Sequence, residues 1–436
     1  MGVDSELRAA VSGRVLLPGD DGFGEATRPW NRAVAQPVAA VVEAADADDV
    51  AAVVRHARRT GRAVSAQATG HGAAPGADGV ILLRTGRLDE VEVRPERRLA
   101  RAGAGASWGR VLAAASPYGL TGLAGSSPIV SVTGYTLGGG LSWFGRRYGW
   151  AADAVTAFEV VDAAGERHRV TGESDPELFW ALRGGGGDFA IVTAVEFELH
   201  PVPGLYGGRV TWPLARAAEV ADAFLEITAQ APPALSAWLG RVNIPQAPPM
   251  VTVDVAFLGT ADEARELLKP LDAIGDVMAD QRRVLDPADL GAITNDPADP
   301  APLAARTELL TGLDAATVRT LFGEPIDPIA AVQVRHLGGA LADDRPDRGA
   351  CGTLAEPYLL YTLGLAVNPE VAAAVRERQR RLVADLGGVV AGRKPYPFLT
   401  AGETAADAFP AATLDRLRQV KRTRDPDGVI RAGFPV

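Results

Sequence analysis

Residues 127–149 read SPIVSVTGYTLGGGLSWFGRRYG, a run that sets Gly134, Gly138, Gly139 and Gly140 between apolar stretches. Two more glycine-rich segments lie on either side of it: QATGHGAAPG, with Thr69, Gly70, His71 and Gly72, and LRGGGGDF, with Gly184 to Gly187. Glycine has no Cβ, so consecutive backbone amides at such places can turn inward and cradle a diphosphate without any lysine. One such cluster alone reads as a tight turn. Three in the same half of the chain read as a phosphate-bearing cofactor site.

The rest of the composition narrows the chemistry. The chain has 436 residues, which at about 150 per domain means two or three domains. Its net charge is −10 with no polybasic run, so a surface that tracks nucleic-acid phosphates is not expected. A single cysteine, Cys351, excludes an intrachain disulfide and every CxxC metal or redox motif. The three lysines (Lys269, Lys394, Lys421) do not follow glycine, which removes the P-loop, and no histidine precedes glutamate, which removes HExxH zinc hydrolases. No metal site is expected. The N-terminus lacks a signal-peptide pattern and no apolar run is long enough to span a bilayer, so the reading is a cytoplasmic protein with no membrane partner, a monomer or homodimer.

Periodicity locates the elements. PVAAVVEAA, a helix from about Asp48 to Thr60 and AVSAQATG form a strand, helix, strand unit; Val50, Val53, Val54 and Ala57 share one helix face and Gly61 stops it. Short strands are expected at Val80–Leu83, Val91–Val93 and Leu99–Ala102, a helix at Trp108–Ala115, and strands at Ala157–Val161 and Ile191–Leu199. Beyond the Pro- and Gly-rich PVPGLYGG the glycine clusters stop, and a domain boundary is placed there. Two strand-then-helix units follow, MVTVDVAFLG with ADEARELLKPLDAIG, and YLLYTLGLAV with a helix capped by Asn368 and stopped by Gly387; Asp286–Pro302 reads as loop.

Two familiar motifs are tested and set aside. Gly103 and Gly105 begin a GxGxxG fingerprint, but Trp108 stands where the third glycine belongs. Gly105 to Gly109 spell GxSxG around Ser107, yet a hydrolase would then have to recruit His200 or His336 and lacks an HGGG-type oxyanion segment.

The order of the motifs does resemble one family. The unit from Pro37 to Gly70, TGHG, AGAGASWGRVL, SPIVSVTGYTLGGGLSWFGRRYG, DPELFWALRGGGGDFAIVTAVEFELHP and the tail RTRDPDGVIR together resemble the berberine-bridge-enzyme-like flavin oxidases, of the vanillyl-alcohol oxidase (PCMH) type of FAD proteins. The resemblance implies an α+β fold. It would comprise a two-subdomain FAD-binding domain over 1–203, a substrate domain over 204–390 with an antiparallel sheet backed by helices, and a segment over 391–436 that returns to the FAD domain. It implies cofactor contacts from Thr69, Gly70, His71, Gly72, Ser127, Val130, Gly134, Tyr135, Thr136, Gly138, Gly139 and Ile191. His71 would carry FAD covalently on its 8α-methyl carbon, an imidazole being a competent nucleophile near neutral pH.

Three departures bear on the chemistry. Many members have a second link from a cysteine, where this chain has Ser127, and Cys351 lies far along the sequence; the bond through His71 is therefore expected to be the only one. Asp188 and Ala190 replace an asparagine and a glycine, read as tolerated near cofactor-binding backbone. Tyr396 matches the family's Tyr-x-Asn tyrosine and is the expected catalytic base, but Phe398 stands in place of the asparagine. Arg335, His336, Glu356, Tyr358 and Tyr361 are expected pocket walls. The implied activity is oxidation of a C–H beside oxygen, nitrogen or an aromatic ring of a small molecule, a secondary metabolite, with O2 as acceptor; the alternatives are flavin-dependent cyclisation and a Ser107 hydrolase.

Overall fold

The computed structural model describes residues 3–75, 77–244 and 247–436. The unit read from Pro37 forms: β2 (Ala40–Glu43), α1 (Ala47–Thr60) and β3 (Val64–Gln67) join β1 (Arg14–Leu16) and β4 (Ile81–Arg84) in a sheet ordered β1-β2-β4-β3. β2 and β3 run parallel to β4, as a helical crossover requires. The Asp46 carboxylate caps α1 by accepting the amides of Asp48 and Asp49, and Gly61 ends the helix at φ 66°. Buried Asp49, in the first turn, accepts the amides of Ser12, Gly13 and Ala45 and so fixes the start of the chain on this layer.

A second sheet follows the order β5-β6-β9-β7-β8, built from β5 (Val91–Arg94), β6 (Leu99–Gly103), β7 (Val155–Val161), β8 (Arg167–Val170) and β9 (Ile191–Glu198). Val195, Phe197 and Leu199 alternate onto its core face, where α2 (Trp108–Ala115) packs with Trp108, Val111 and Leu112. α3 (Val132–Leu137) lies inside the glycine-rich stretch, where Gly134 interrupts the apolar spacing that would advertise a helix.

The third sheet begins at Leu205. Its strands β10 (Leu205–Pro213), β11 (Leu235–Val242), β12 (Met250–Leu258), β13 (Leu303–Leu310), β14 (Ala331–His336) and β15 (Tyr358–Leu365) lie in the order β10-β12-β11-β14-β15-β13, antiparallel at every pairing, with short strands along the outer edge of β10. Period-two alternation gives the sheet two different faces. Leu239, Val253, Val334 and Leu360 pack under α4 (Ala217–Ala229) and α5 (Pro369–Leu386). Ala256, Leu258, Trp238 and Leu205 turn the other way and share a core with Trp143 and Phe144 of the first half of the chain. This is the α+β architecture that the motif order implies.

Arg146 fastens the two halves. It is buried, its Nε donates to Leu235 O at 2.8 Å, Nη2 to Ala231 O at 3.0 Å, and Nη1 to Leu337 O and to His336 Nε2. Burial without a carboxylate lowers its pKa to about 10, which still leaves it charged at neutral pH. The tail is fastened separately: α6 (Ala411–Arg424) is followed by a parallel bridge from Ile430 to Val64, which lays the last residues beside β3. Arg146→Met strands several buried carbonyls and should cost roughly 3 kcal/mol. A urea midpoint for the variant within error of the wild type would contradict this account of the domain contact.

Candidate cofactor and substrate site

His71 follows β3 on a loop whose shape depends on Gly70. That residue has φ 77°, and a Cβ there would lie 2.7 Å from Pro29 Cβ, so only glycine fits. Trp30 stacks on the imidazole, with centroids 4.2 Å apart and planes 15° apart, while Thr69 Oγ1 lies 2.8 Å from His71 Nδ1. Desolvation by this packing lowers the His71 pKa to about 4, so the ring is neutral at pH 7. Nε2 is buried and has no partner among the described residues, and in the tautomer that donates from Nδ1 to Thr69 it keeps its lone pair.

Other buried polar atoms in this half of the chain also lack partners among the described residues, among them Thr133 Oγ1 and the Tyr135 hydroxyl, both on α3. Cβ atoms added at Gly72 or Gly134 would meet nothing within 4 Å. Buried polar atoms normally have partners. Orphaned donors and acceptors beside open glycine backbone therefore fit a polar, phosphate-bearing cofactor.

The other expected contacts divide by what their glycines touch. Gly138 admits Pro397, whose Cβ would lie 2.9 Å from an added Cβ, and Gly139 admits Trp150 and Cys351. Those two glycines make room for protein, and only their backbone remains for a cofactor. Thr136 is buried and its carbonyl accepts the Gly139 amide. Val130 O accepts the Trp108 amide at 3.0 Å, and the Ile191 side chain packs in the core beneath α1. Ser127 is half-buried beside Pro128, which abuts Gly291 in the second half of the chain.

Cys351 requires a correction. Though remote in sequence, it packs against Gly184 and Gly139, and its N–H points to Arg183 O. Burial pushes its thiol well above the ordinary range, so no thiolate is available. Asp188 also has a definite task that the sequence reading missed: its carboxylate accepts the amides of Ala432 and Val436 and so holds the chain end.

Tyr396 is placed differently from expectation. Its hydroxyl donates to Phe434 O at 2.7 Å, its ring stacks on Phe409, and Gly186 (φ 91°) is glycine because a Cβ there would stand 2.5 Å from that hydroxyl. Burial raises its pKa further above neutrality. The group positions the tail, and it is poorly disposed to accept a substrate proton.

Of the expected pocket walls, two face the first half of the chain. In-register pairing sets Arg209, Asp254, Trp238, Arg335, Leu359 and Leu309 in one row across the sheet, and Gln333 beside Tyr361 in the next. Tyr358 packs instead against the helix layer, His336 is taken by Arg146, and Glu356 pairs with Arg393 at 3.0 Å. Phe398, in the place of the family's asparagine, lies across from Tyr361 with ring centroids 6.3 Å apart. The hydrolase alternative loses its parts. Ser107 Oγ caps α2 by accepting the Arg110 amide, and His200 stacks on Tyr148, so no histidine serves that serine among the described residues.

The chain resembles known flavoproteins in part of its sequence and in its whole fold. Residues 38–171 match the protein family described as FAD binding domain. The (R)-6-hydroxynicotine oxidase of Paenarthrobacter nicotinovorans is 30% identical over 281 residues, 62% of this chain and 60% of that protein. The FAD-dependent monooxygenase FUP4 of Fusarium proliferatum is 36% identical over 199 residues, 44% of this chain and 38% of that one. The chain thus spans less than two thirds of the length of these curated relatives. Among solved structures, 6-hydroxy-D-nicotine oxidase from Arthrobacter nicotinovorans superposes with a TM-score of 0.82 at 24% identity, covering 97% of both chains. The BBE-like 1 protein of Physcomitrella patens gives 0.87 at 18%, covering 100% of this chain and 99% of its own. Residues 38–171 are thus an FAD-binding region, and the fold of the chain is that of the oxidase and BBE-like structures on which it superposes.

Two outcomes follow from the site. His71 is neutral when folded down to about pH 4 and takes up a proton near pH 6.5 when unfolded, so its contribution is complete above pH 6.5 and is lost as pH falls toward 4. In protein prepared without flavin, the drop in urea midpoint from pH 7.5 to pH 4.5 should therefore be smaller in His71→Gln than in the wild type; an equal drop would refute the buried neutral ring. Tyr396→Phe should leave the rate of flavin reduction within about threefold while making the C-terminal segment more sensitive to carboxypeptidase; a loss of the roughly 10²-fold or more expected for a general base would return that role to Tyr396.

Proposed function

We propose that the protein is an FAD-dependent oxidase of a small organic molecule, with the cofactor bonded covalently to His71 and to no other residue. The observation that carries this reading is His71 Nε2, a buried, neutral and unpartnered nitrogen on a glycine-shaped loop inside the matched FAD-binding region. When bound, FAD supplies the capacity to accept a hydride from a carbon beside oxygen, nitrogen or an aromatic ring.

The chain's own residues supply the rest. Trp30 and Thr69 hold the imidazole in one orientation, so that Nε2 is presented as a nucleophile in its unprotonated form. Ser127 is a poor second attachment point, since an unactivated hydroxyl is protonated at neutral pH. Thr133, Tyr135 and the open backbone at Gly72 and Gly134 offer hydrogen-bonding groups to the cofactor's polar parts. Tyr361, whose hydroxyl has no bond to protein among the described residues, stands on the sheet face toward the FAD-binding half and is our candidate for a group that hydrogen-bonds and orients the substrate. The relatives' names support a small-molecule substrate: a hydroxynicotine for one, xylooligosaccharide for another. The oxidases among them support O2 as acceptor. Secondary metabolism and a cytoplasmic location belong to the same reading, and among the described residues no helix is long and apolar enough to cross a membrane.

The purified protein should be yellow, and acid precipitation should leave flavin on the polypeptide. A tryptic peptide containing His71 should carry the flavin mass, a peptide containing Ser127 should not, and His71→Ala should release all flavin on denaturation. Complete loss of wild-type flavin into the acid supernatant would overturn the covalent assignment.

A further inference from the structure

Arg335 stands apart from other arginines in the interior. Arg209 holds Asp254 with two hydrogen bonds at 2.5 and 2.9 Å, Arg101 holds Glu159, and Arg146 and Arg348 are spent on backbone carbonyls. Arg335 donates only from Nε, to Gln333 Oε1 at 2.7 Å. Its two terminal nitrogens bond to nothing among the described residues and are not sealed from solvent, and no carboxylate lies within ion-pair distance of them. The side chain is nonetheless fixed in place. Its guanidinium lies 4.1 Å from the Trp238 ring centroid, 5.4 Å from that of Tyr361 and 5.8 Å from that of Phe398.

We propose that Arg335 is a substrate-recognition residue that binds a carboxylate on an aromatic or otherwise flat substrate, resting on the oxidase reading above for what happens to that substrate afterwards. Both terminal nitrogens of this guanidinium are unspent. A guanidinium held rigidly between aromatic rings presents a planar pair of N–H donors, and that fork matches a carboxylate in two parallel hydrogen bonds. Asp254 cannot be the intended partner, because Arg209 already occupies both of its oxygens in the neighbouring place of the same row. Asp296, exposed on the loop that follows Thr294, acts on Arg335 only through space, as does Tyr135 from α3. The position of Arg335 is also suited to a substrate. It lies on the sheet face toward the FAD-binding half, between the shared apolar core around Trp143 and Trp238 and the cluster that joins Leu359 to Trp150. The rings of Trp238, Tyr361 and Phe398 offer flat apolar surface around the same fork. Phe398, in the asparagine's place, thus becomes part of the wall that shields this charge.

Benzoate and its neutral counterpart benzamide, titrated calorimetrically into the purified wild-type protein at pH 7, test the assignment without requiring turnover. Benzoate should bind at least tenfold more tightly than benzamide, the scale of a charge-assisted bidentate pair. Arg335→Gln should abolish that preference with little effect on benzamide, and Arg335→Lys, a point charge without the planar fork, should restore only part of it. Equal affinities in the wild type, no detectable benzoate binding, or a preference that survives in Arg335→Gln would each overturn the proposal. If Arg335→Gln fails to fold, the wild-type comparison and Arg335→Lys still decide. Flavin content is read separately from absorbance near 450 nm, so a colourless protein would sink the oxidase reading while the titrations still judged Arg335.

Discussion

The ammonium group of Lys421 gathers the C-terminal segment onto the loop that carries Asp188. It donates to Asp188 O at 2.7 Å, Asp425 Oδ2 at 2.8 Å and Ile430 O at 2.5 Å, so all three of its protons are used. Asp425, fully enclosed, accepts the amides of Val429 and Ile430 with its two oxygens, and Asp188 takes those of Ala432 and Val436. The chain end therefore lies beside β3, with Gly433 close to Ala74 on the loop that carries His71. Loop, glycine run and Tyr396 keep their positions because this knot of charge ties the tail across them. A buried network of this kind is stabilising only when every member is satisfied, and here the carboxylates are filled by amides as well as by the lysine.

The sequence made part of this fold readable. α1 announced itself through apolar spacing and its glycine stop, and the end of β9 through alternation at Val195, Phe197 and Leu199. The third sheet was harder, because β10, β11, β13 and β14 pair with strands far away in the chain and LAARTELL in β13 carries no alternation that marks it as a strand. Long-range pairing is invisible to periodicity. The motif order reached the architecture where local pattern could not.

The site was legible to a different degree. The special character of His71 could be read from its glycine neighbours, but its stacking on Trp30 joins segments about forty residues apart and needed coordinates. Glycine clusters proved to have two uses: Gly70 shapes a loop, while Gly138, Gly139 and Gly186 admit side chains from residues 351 to 397. Composition cannot separate those uses, since both require the absence of a Cβ. The same gap between sequence distance and spatial distance misplaced Cys351 and disguised the tasks of Asp188 and Tyr396.

The alternation of side chains across the third sheet has an evolutionary consequence. Residues on the helix face, such as Val334 and Leu360, are locked in a close-packed layer, where most replacements leave a void or an overlap. Their neighbours Arg335 and Tyr361 point the opposite way and share no packing with that layer. On the reading proposed for Arg335, replacing them would alter what is recognised while the framework that positions them stays intact. Two adjacent residues of one strand are thus exposed to separate selective pressures, one for folding and one for chemistry, and a scaffold divided in this way can change substrates by single substitutions without first becoming unstable.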